Sequence, residues 1–228
     1  IPFNFCKQYL DHMSKHLKNL IVIHSSDNDQ CMKQMHRKTF LINLLSGPCA
    51  GKSVLAALIF AKLKLRGYVT EYVQEYAKTL VWTKDFDTLN DQYYVSKKQY
   101  QVFKEMDGVT DFIVTDGSLY HGVYYNRHNN NNTSNIEKTE KYILECANQF
   151  NNINIFLDRG EIEYEQQGRI ETAEEAKEID VILRHMLRRC GVQFETFESD
   201  YEKVDDIVEY IIQQREEIMN NQIQISNK

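Results

Sequence analysis

The segment that most constrains the fold of this chain is "TFLINLLSGPCAGKSVLAAL", residues 39–58. A mostly apolar run ends in small residues, and from Ser53 to Arg66 apolar side chains recur at helical spacing. The first pattern is typical of a strand buried on both faces, and the second predicts an amphipathic helix. A glycine-containing loop between such a strand and helix can surround a phosphate group with backbone N–H groups and a helix N-terminus.

The loop departs from the usual phosphate-binding pattern at one position. That pattern is glycine, four residues, then Gly-Lys-Ser or Gly-Lys-Thr, and its first position is occupied here by Ser46. We expect Gly47 and Gly51 to adopt the unusual backbone angles, Lys52 to reach the β and γ phosphates, and Ser53 to hold magnesium. The loop residues predicted to bind nucleotide are Gly47, Pro48, Cys49, Ala50, Gly51, Lys52, Ser53 and Val54.

Further strands alternate with helical segments along the chain. A tyrosine-rich helix is predicted over about 87–107, and Thr172 with Glu175 forms a capping box before another helix. The alternation predicts a three-layer α/β domain with a mainly parallel five-stranded sheet and helices on both faces, the fold of P-loop nucleoside and nucleotide kinases. Besides the strand within 38–47, strands are predicted within 67–75, 111–118, 152–159 and 191–199.

Two carboxylates follow neighbouring strands at their carboxyl ends, where ligands of parallel sheets bind. Asp116 ends an apolar strand and can orient magnesium or its water, although an aspartate before Gly117 is also a common turn residue. Glu75 ends the second strand and suits a general base or a clamp on a hydroxyl nucleophile. Glu71, further back in that strand, is the competitor for this role and more typical of a surface residue.

Arginine and glutamine side chains complete the candidate site. Arg159 and Arg169 flank a polar segment after the fourth strand and could close over the phosphates, or simply be surface residues of a charged loop. Gln92 and Gln99 lie in the tyrosine-rich helix, which either lines an acceptor pocket or packs in the core. The residues predicted to contact the acceptor are Glu75, Tyr76, Gln92, Gln99 and Asp116.

Composition limits the class of protein. The net charge of -6 argues against a protein built to coat nucleic acid, so nucleic acid is not an expected partner. Five scattered cysteines without a CxxC pair indicate reduced thiols and a reducing intracellular compartment. No apolar run approaches the length of a membrane span.

The domain organisation follows from these patterns. Residues 1–38 form a basic extension, which could be the end of an organellar (mitochondrial) presequence, a helix that packs on a protein partner, or a local extension. Residues 39–219 form the kinase-like domain, with a flexible asparagine-rich loop at 126–135. Residues 220–228 are predicted to be a frayed tail.

With these residues placed, the chain resembles a known family. The blocks "GPCAGKS", "EYAKTLVW", "NDQYYVSKKQ" and "IVTD", together with the arginine-bearing segment, are similar to P-loop domains related to the kinase domain of bacterial NadR, which phosphorylates nicotinamide riboside. "EYAK" followed by "LVW" resembles the phage-encoded branch of that family most. The similarity covers about residues 39–210 and leaves residues 1–38 outside.

The resemblance implies an ATP-dependent phosphotransferase that uses magnesium, and it does not fix the acceptor, for which we expect a hydroxyl of a nucleoside-like small molecule. It implies that Gly47, Gly51, Lys52 and Ser53 hold phosphate, and that Glu75 and Asp116 serve the acceptor and the metal. It also implies that Arg159 and Arg169 belong to a lid. Ser46, and "DGS" where phage relatives tend to have Asp-Ser-Pro, depart from the family pattern. An alternative therefore stays open, a nucleotide-binding subunit or switch that has lost turnover.

Overall fold

The computed structural model of the 228-residue chain describes residues 37–159 and 171–226. Nearly all of the predicted N-terminal extension lies outside these ranges, and so does the predicted lid residue Arg169. Both remain predictions from sequence. Within the described part of the chain, no helix is both long enough and apolar enough to cross a membrane.

Five parallel strands form one sheet, as the sequence predicts. The spatial order is β2-β3-β1-β4-β5, so the strand that leads into the phosphate loop lies at the centre, between β3 and β4. All carboxyl ends therefore meet at one edge of the sheet. The strands are β1 (Phe40–Leu45), β2 (Thr70–Val73), β3 (Phe112–Thr115), β4 (Asn151–Asp158) and β5 (Glu195–Glu198).

Eight helices occur in the described ranges, and they cover both faces of the sheet. Alternating side chains of β1 enter two separate cores, with Leu41 and Leu45 on one face and Phe40, Ile42 and Leu44 on the other. The helices are α1 (Lys52–Leu65), α2 (Tyr76–Thr83), α3 (Phe86–Asn90), α4 (Gln92–Met106), α5 (Leu119–His128), α6 (Ile136–Ala147), α7 (Ala173–Arg189) and α8 (Val204–Ser226).

The two cores give the domain its three layers. Helices α1 and α8 pack against one face of the sheet, and α4, α5, α6 and α7 pack against the other. The capping box predicted at Thr172 and Glu175 is present at the start of α7. The predicted fold class is confirmed, a three-layer α/β domain with a five-stranded parallel sheet.

The tyrosine-rich segment differs from the prediction of one long helix over 87–107. The chain turns at Asp91, whose side chain accepts a hydrogen bond from the Tyr94 backbone N–H, so a new helix begins at Gln92. Aspartate competes for backbone N–H groups in this way and favours helix starts over helix interiors. Sequence analysis also placed no helix between β3 and β4, where the structure has α5 and α6.

The asparagine-rich segment 126–135 is joined to its surroundings by hydrogen bonds. Its first three residues belong to α5, and Asn126 is fully buried and donates to the Ile136 carbonyl. Asn129 donates to the Asn90 side chain, and Ser134 donates to Asp91. The segment therefore has defined partners, and its flexibility stays a prediction. The predicted tail begins within α8, which continues to Ser226.

Candidate active site

Residues 46–51 connect β1 to α1 in the conformation of a phosphate-binding loop. Among the loop residues only Cys49 and Gly51 have positive φ angles, of 59° and 75°. Gly51 directly precedes the first residue of α1, Lys52. The expectation that Gly47 adopts an unusual backbone angle is therefore wrong, because Cys49 holds the second left-handed position instead. A non-glycine residue in that region costs about 1–2 kcal/mol.

Ser46 fits its position without strain. It is buried, its φ is not left-handed, and its hydroxyl lies 3.4 Å from the ammonium of Lys52. A glycine at the first position of the motif would bring no conformational advantage here. Lys52 also donates to the backbone carbonyls of Ser46 and Gly47, at 2.9 and 2.6 Å. The lysine thus points back over the start of its own loop.

Gly47 is required because α7 packs directly against it. A Cβ atom at this position would lie 2.6 Å from the Ala176 carbonyl oxygen and 2.9 Å from the Asp180 carboxylate. The same carboxylate accepts the Gly47 N–H at 2.5 Å. Its other oxygen accepts a hydrogen bond from Arg159 at 2.9 Å. Asp180 therefore joins the phosphate loop, α7 and the end of β4.

Asp116 connects three chain segments at the other side of the loop. Its carboxylate accepts a hydrogen bond from the Ser53 hydroxyl at 2.5 Å and another from the Glu75 backbone N–H at 3.1 Å. Asp116 is almost completely buried. The phosphate loop, the end of β2 and the end of β3 are thereby fixed relative to one another.

Ser53 and Asp116 offer the oxygen ligands that Mg²⁺ prefers. Within 37–159 and 171–226, no group of three or more acidic, histidine or cysteine side chains could hold a metal ion by itself. A hydroxyl and one carboxylate suit Mg²⁺ that is held jointly by protein, nucleotide phosphates and water. The residues present fit magnesium bound together with a nucleotide.

Lys78 also reaches this end of the loop, which sequence analysis missed. It lies on α2, one helical turn after Glu75, and its ammonium is 3.3 Å from the Ser53 hydroxyl. Tyr72 on β2 is nearby, and burial together with the neighbouring Asp116 carboxylate raises the pKa of its hydroxyl. The site thus holds a positive charge next to its candidate metal ligands.

Glu75 is held by close packing against Gly117. A Cβ atom at residue 117 would lie 2.4 Å from the Glu75 Cα, so only glycine allows the ends of β2 and β3 to approach this closely. Gln99 supports the same segment from α4. Its side chain accepts the Tyr76 N–H at 2.8 Å and donates to the Gln74 carbonyl at 3.3 Å. Both contacts position the backbone on either side of Glu75.

A cavity of about 1100 Å³ opens above these groups. Ligand pockets of proteins usually measure roughly 300–1,000 Å³, so the cavity has room for a nucleotide together with a second small molecule. The predicted site residues that line it are Pro48, Cys49, Ala50, Gly51, Lys52, Ser53, Val54, Glu75, Gln92, Gln99 and Asp116.

Three predicted contact residues are engaged elsewhere. The Gln99 amide is occupied by the backbone around Glu75, and the Gln92 amide donates to the Leu89 carbonyl at 2.7 Å. Tyr76 interacts with Tyr94 through its side chain, and burial raises the pKa of its hydroxyl. The predicted acceptor contacts of these residues remain predictions.

Arg159, the predicted lid arginine, is paired in the structure. Its side chain is 13% exposed, against 16% for that of its partner Asp180, and it also approaches the Ala176 carbonyl. Arg159 would have to leave Asp180 to reach a nucleotide.

Asp180 itself lacked any signal in the sequence, because its contact depends on how α7 packs. Lys78 had a weak signal, its spacing of three residues from Glu75 within "EYAK".

Comparison with known families identifies the family of this chain. A family model described as an AAA domain matches residues 41–203, most of the chain. The chain belongs to this family. The matched residues of this chain include the phosphate loop, Glu75, Asp116 and Arg159. The narrower resemblance to NadR-related kinases stays a prediction. A comparison with curated proteins finds no significant match.

The AAA domain is also similar to distant solved structures. They include YorR from Bacillus subtilis in complex with phosphorylated GDP, at 18% identity and a TM-score of 0.44, covering 75% of this chain and 93% of YorR. The APS kinase CysC of Mycobacterium tuberculosis matches at 11% identity and a TM-score of 0.43, and the match covers 79% of this chain and 99% of CysC. Thymidylate kinase from Candida albicans matches at 14% identity and a TM-score of 0.45, and the match covers 81% of this chain and 93% of that kinase.

Proposed function

We propose that this protein transfers the γ-phosphoryl group of ATP to a hydroxyl group of a nucleoside-like small molecule. One observation carries the proposal. The Asp116 carboxylate binds both the Ser53 hydroxyl and the Glu75 backbone N–H, so a candidate base adjoins the metal end of the phosphate loop. The surrounding cavity is large enough for both substrates.

Each charged group has a role in this proposal. Lys52 leaves the carbonyls of Ser46 and Gly47 and binds the β and γ phosphates, because phosphate oxygens are stronger acceptors than backbone carbonyls. Ser53 and Asp116 would hold Mg²⁺, which would neutralise charge on the phosphates. Lys78 lies close enough to Ser53 to contact the same phosphate end.

Glu75 acts on the acceptor. It orients the acceptor hydroxyl and takes its proton as the oxygen attacks the γ-phosphorus, while the bond from that phosphorus to the bridging oxygen of ADP breaks. Arg159 and Arg169 close over the phosphates after Arg159 separates from Asp180. The resemblance to NadR-related kinases makes nicotinamide riboside one acceptor to test.

Replacing Glu75 by glutamine tests the proposal while keeping the shape of the side chain. We expect Glu75→Gln to bind ATP like wild type and to transfer phosphate about 10²- to 10⁴-fold more slowly, the usual contribution of a general base. Transfer is measured with γ-labelled ATP and a panel of nicotinamide riboside, ribonucleosides and 2′-deoxyribonucleosides.

Glu71→Gln is the matched control for this experiment. Glu71 lies on the same strand but is paired with Lys64 on the surface, so its removal should leave transfer unchanged. An unchanged rate in Glu75→Gln would assign the base to another residue.

A second candidate function is nucleotide binding without turnover. It is favoured by the hydrogen bonds of Lys52 to its own loop and by Lys78 beside the candidate metal ligand. ATP binding without labelling of any acceptor in the panel would support this function over the first.

A further inference from the structure

Two facing helices of the cavity wall carry buried polar groups that the proposed reaction does not use. Ser96 lies on α4, and His121 lies on α5, which packs against it. Both residues line the same cavity as Lys52 and Glu75. They are 3% and 6% exposed, respectively.

Ser96 is fixed against the backbone of α5. A Cβ atom at Gly122 would lie 2.7 Å from the Ser96 hydroxyl oxygen, so glycine at 122 makes room for this side chain. The hydroxyl nevertheless has no hydrogen-bond partner among the described residues. Alanine would also fit against α5 at this position. Packing alone therefore does not explain why the side chain carries a hydroxyl group.

Neither ring nitrogen of His121 makes a hydrogen bond of normal geometry in the described part of the chain, although the Ser46 backbone approaches the ring. Burial, reinforced by the nearby charge of Lys52, lowers the pKa of its imidazole to about 3, and the Ser46 backbone offsets this only in part. The ring is therefore neutral at physiological pH. A neutral imidazole has one N–H donor and one nitrogen acceptor.

Leaving a buried polar atom unpaired costs about 1–3 kcal/mol, and native proteins contain few such atoms. Such atoms lie on adjoining helices here: the Ser96 hydroxyl and the ring nitrogens of His121, at most one of which is approached by the Ser46 backbone. Because these groups line a cavity, a bound molecule can supply the missing partners. The arrangement has the properties of a binding subsite.

We propose that Ser96 and His121 form a subsite for the hydroxyl groups of an uncharged sugar on the acceptor, an inference that rests on the proposed function. A serine hydroxyl and a neutral imidazole both donate and accept hydrogen bonds and carry no charge, which matches the hydroxyl groups of an uncharged sugar. The lysines that line the same cavity, Lys52 and Lys78, are assigned to the phosphates of ATP, so its carboxylates disfavour an acceptor that already carries a phosphate group. These carboxylates are Glu75, Asp116, Glu171, Glu175 and Glu178.

The test uses His121→Leu and Ser96→Ala, which remove the polar atoms and keep most of the packing. We expect the KM for the best ribonucleoside of the panel to rise roughly 10- to 100-fold in each variant, the range for a lost hydrogen bond to a buried group. The KM for ATP should stay unchanged. The Tm should stay equal or rise, because each variant removes an unpaired buried group.

His185→Leu is the matched control, because His185 is exposed on α7. This substitution should leave the KM for the ribonucleoside, the KM for ATP and the Tm unchanged. His121→Asn, which keeps one donor and one acceptor, should recover part of the acceptor affinity. An unchanged acceptor KM together with a lowered Tm in His121→Leu and Ser96→Ala would overturn the subsite and indicate a structural role.

A binding measurement separates this inference from the proposed function. If wild type transfers no phosphate, ribonucleosides are tested as stabilising ligands by their shift of the Tm. Stabilisation that is lost in His121→Leu would retain the subsite and reject the phosphotransfer. Stabilisation by nucleoside monophosphates alone, or by no member of the panel, would overturn the subsite.

Discussion

Ser46 shows why a motif that fails by one letter can still adopt the conformation of a phosphate-binding loop. The first position has an ordinary φ angle, and the residue that pays a conformational cost is Cys49. The serine hydroxyl also adds a contact to Lys52. The physical requirement at position 46 is a small residue that has a backbone N–H, and serine meets it.

Ser46→Gly should therefore leave kcat for phosphotransfer close to the wild-type value. Glycine should lower the free energy of unfolding by about 0.5–1 kcal/mol, because it has more conformational freedom in the unfolded chain. Gly51→Ala is the comparison, since alanine at a φ of 75° is strained and should deform the loop. A large gain of kcat in Ser46→Gly would show that serine impairs catalysis.

The contacts of single residues were predictable only where a motif fixes both partners. Ser53 and Asp116 follow adjacent parallel strands, β1 and β3, so their meeting could be predicted from sequence. Lys78 and His121 reach the site from helices whose packing is set by long-range contacts. Their roles therefore required the structure.

Helix α7 is the element that joins the phosphate loop to the predicted lid. Its Asp180 binds the Gly47 N–H and the Arg159 guanidinium, and both charged side chains are mostly buried. Removal of Asp180 leaves Arg159 without this partner and loosens the contact of α7 with the loop. A buried pair of this kind affects stability far more than a surface pair does.

Asp180→Ala should lower the free energy of unfolding by about 1–3 kcal/mol, as measured by urea denaturation. A double-mutant cycle with Arg159→Ala should give a coupling energy of about 1 kcal/mol or more. The exposed pair of Lys141 and Glu145 serves as the control, with an expected coupling of at most about 0.5 kcal/mol. Equal coupling in the two pairs would show that Asp180 does not hold Arg159.

The elements themselves were predicted unevenly. The five strands and the capped helix α7 follow from apolar patterns and a capping box, which are local signals. The break at Asp91 depends on one side chain that caps α4 in place of continuing a helix. Helices α5 and α6 were missed because the asparagine-rich segment between them resembles a loop.

In the whole molecule, the strand order determines the site. With β1 between β3 and β4, and β2 next to β3, the phosphate loop, Asp116, Glu75 and Arg159 all come to the same edge of the sheet. The position of this edge could be predicted, because ligands of parallel sheets bind at the carboxyl ends of strands. The central claim is that this edge transfers phosphate.

The most direct test is phosphotransfer from γ-labelled ATP to the acceptor panel by the wild-type chain and by Lys52→Ala. We predict a labelled ribonucleoside with wild type and a loss of about 100-fold or more in Lys52→Ala, with both proteins folded. Lys62→Ala, which removes a surface lysine of the same helix, should behave as wild type. Equal transfer by wild type and Lys52→Ala, or labelling of no acceptor by a wild-type chain that binds ATP, would contradict the assignment.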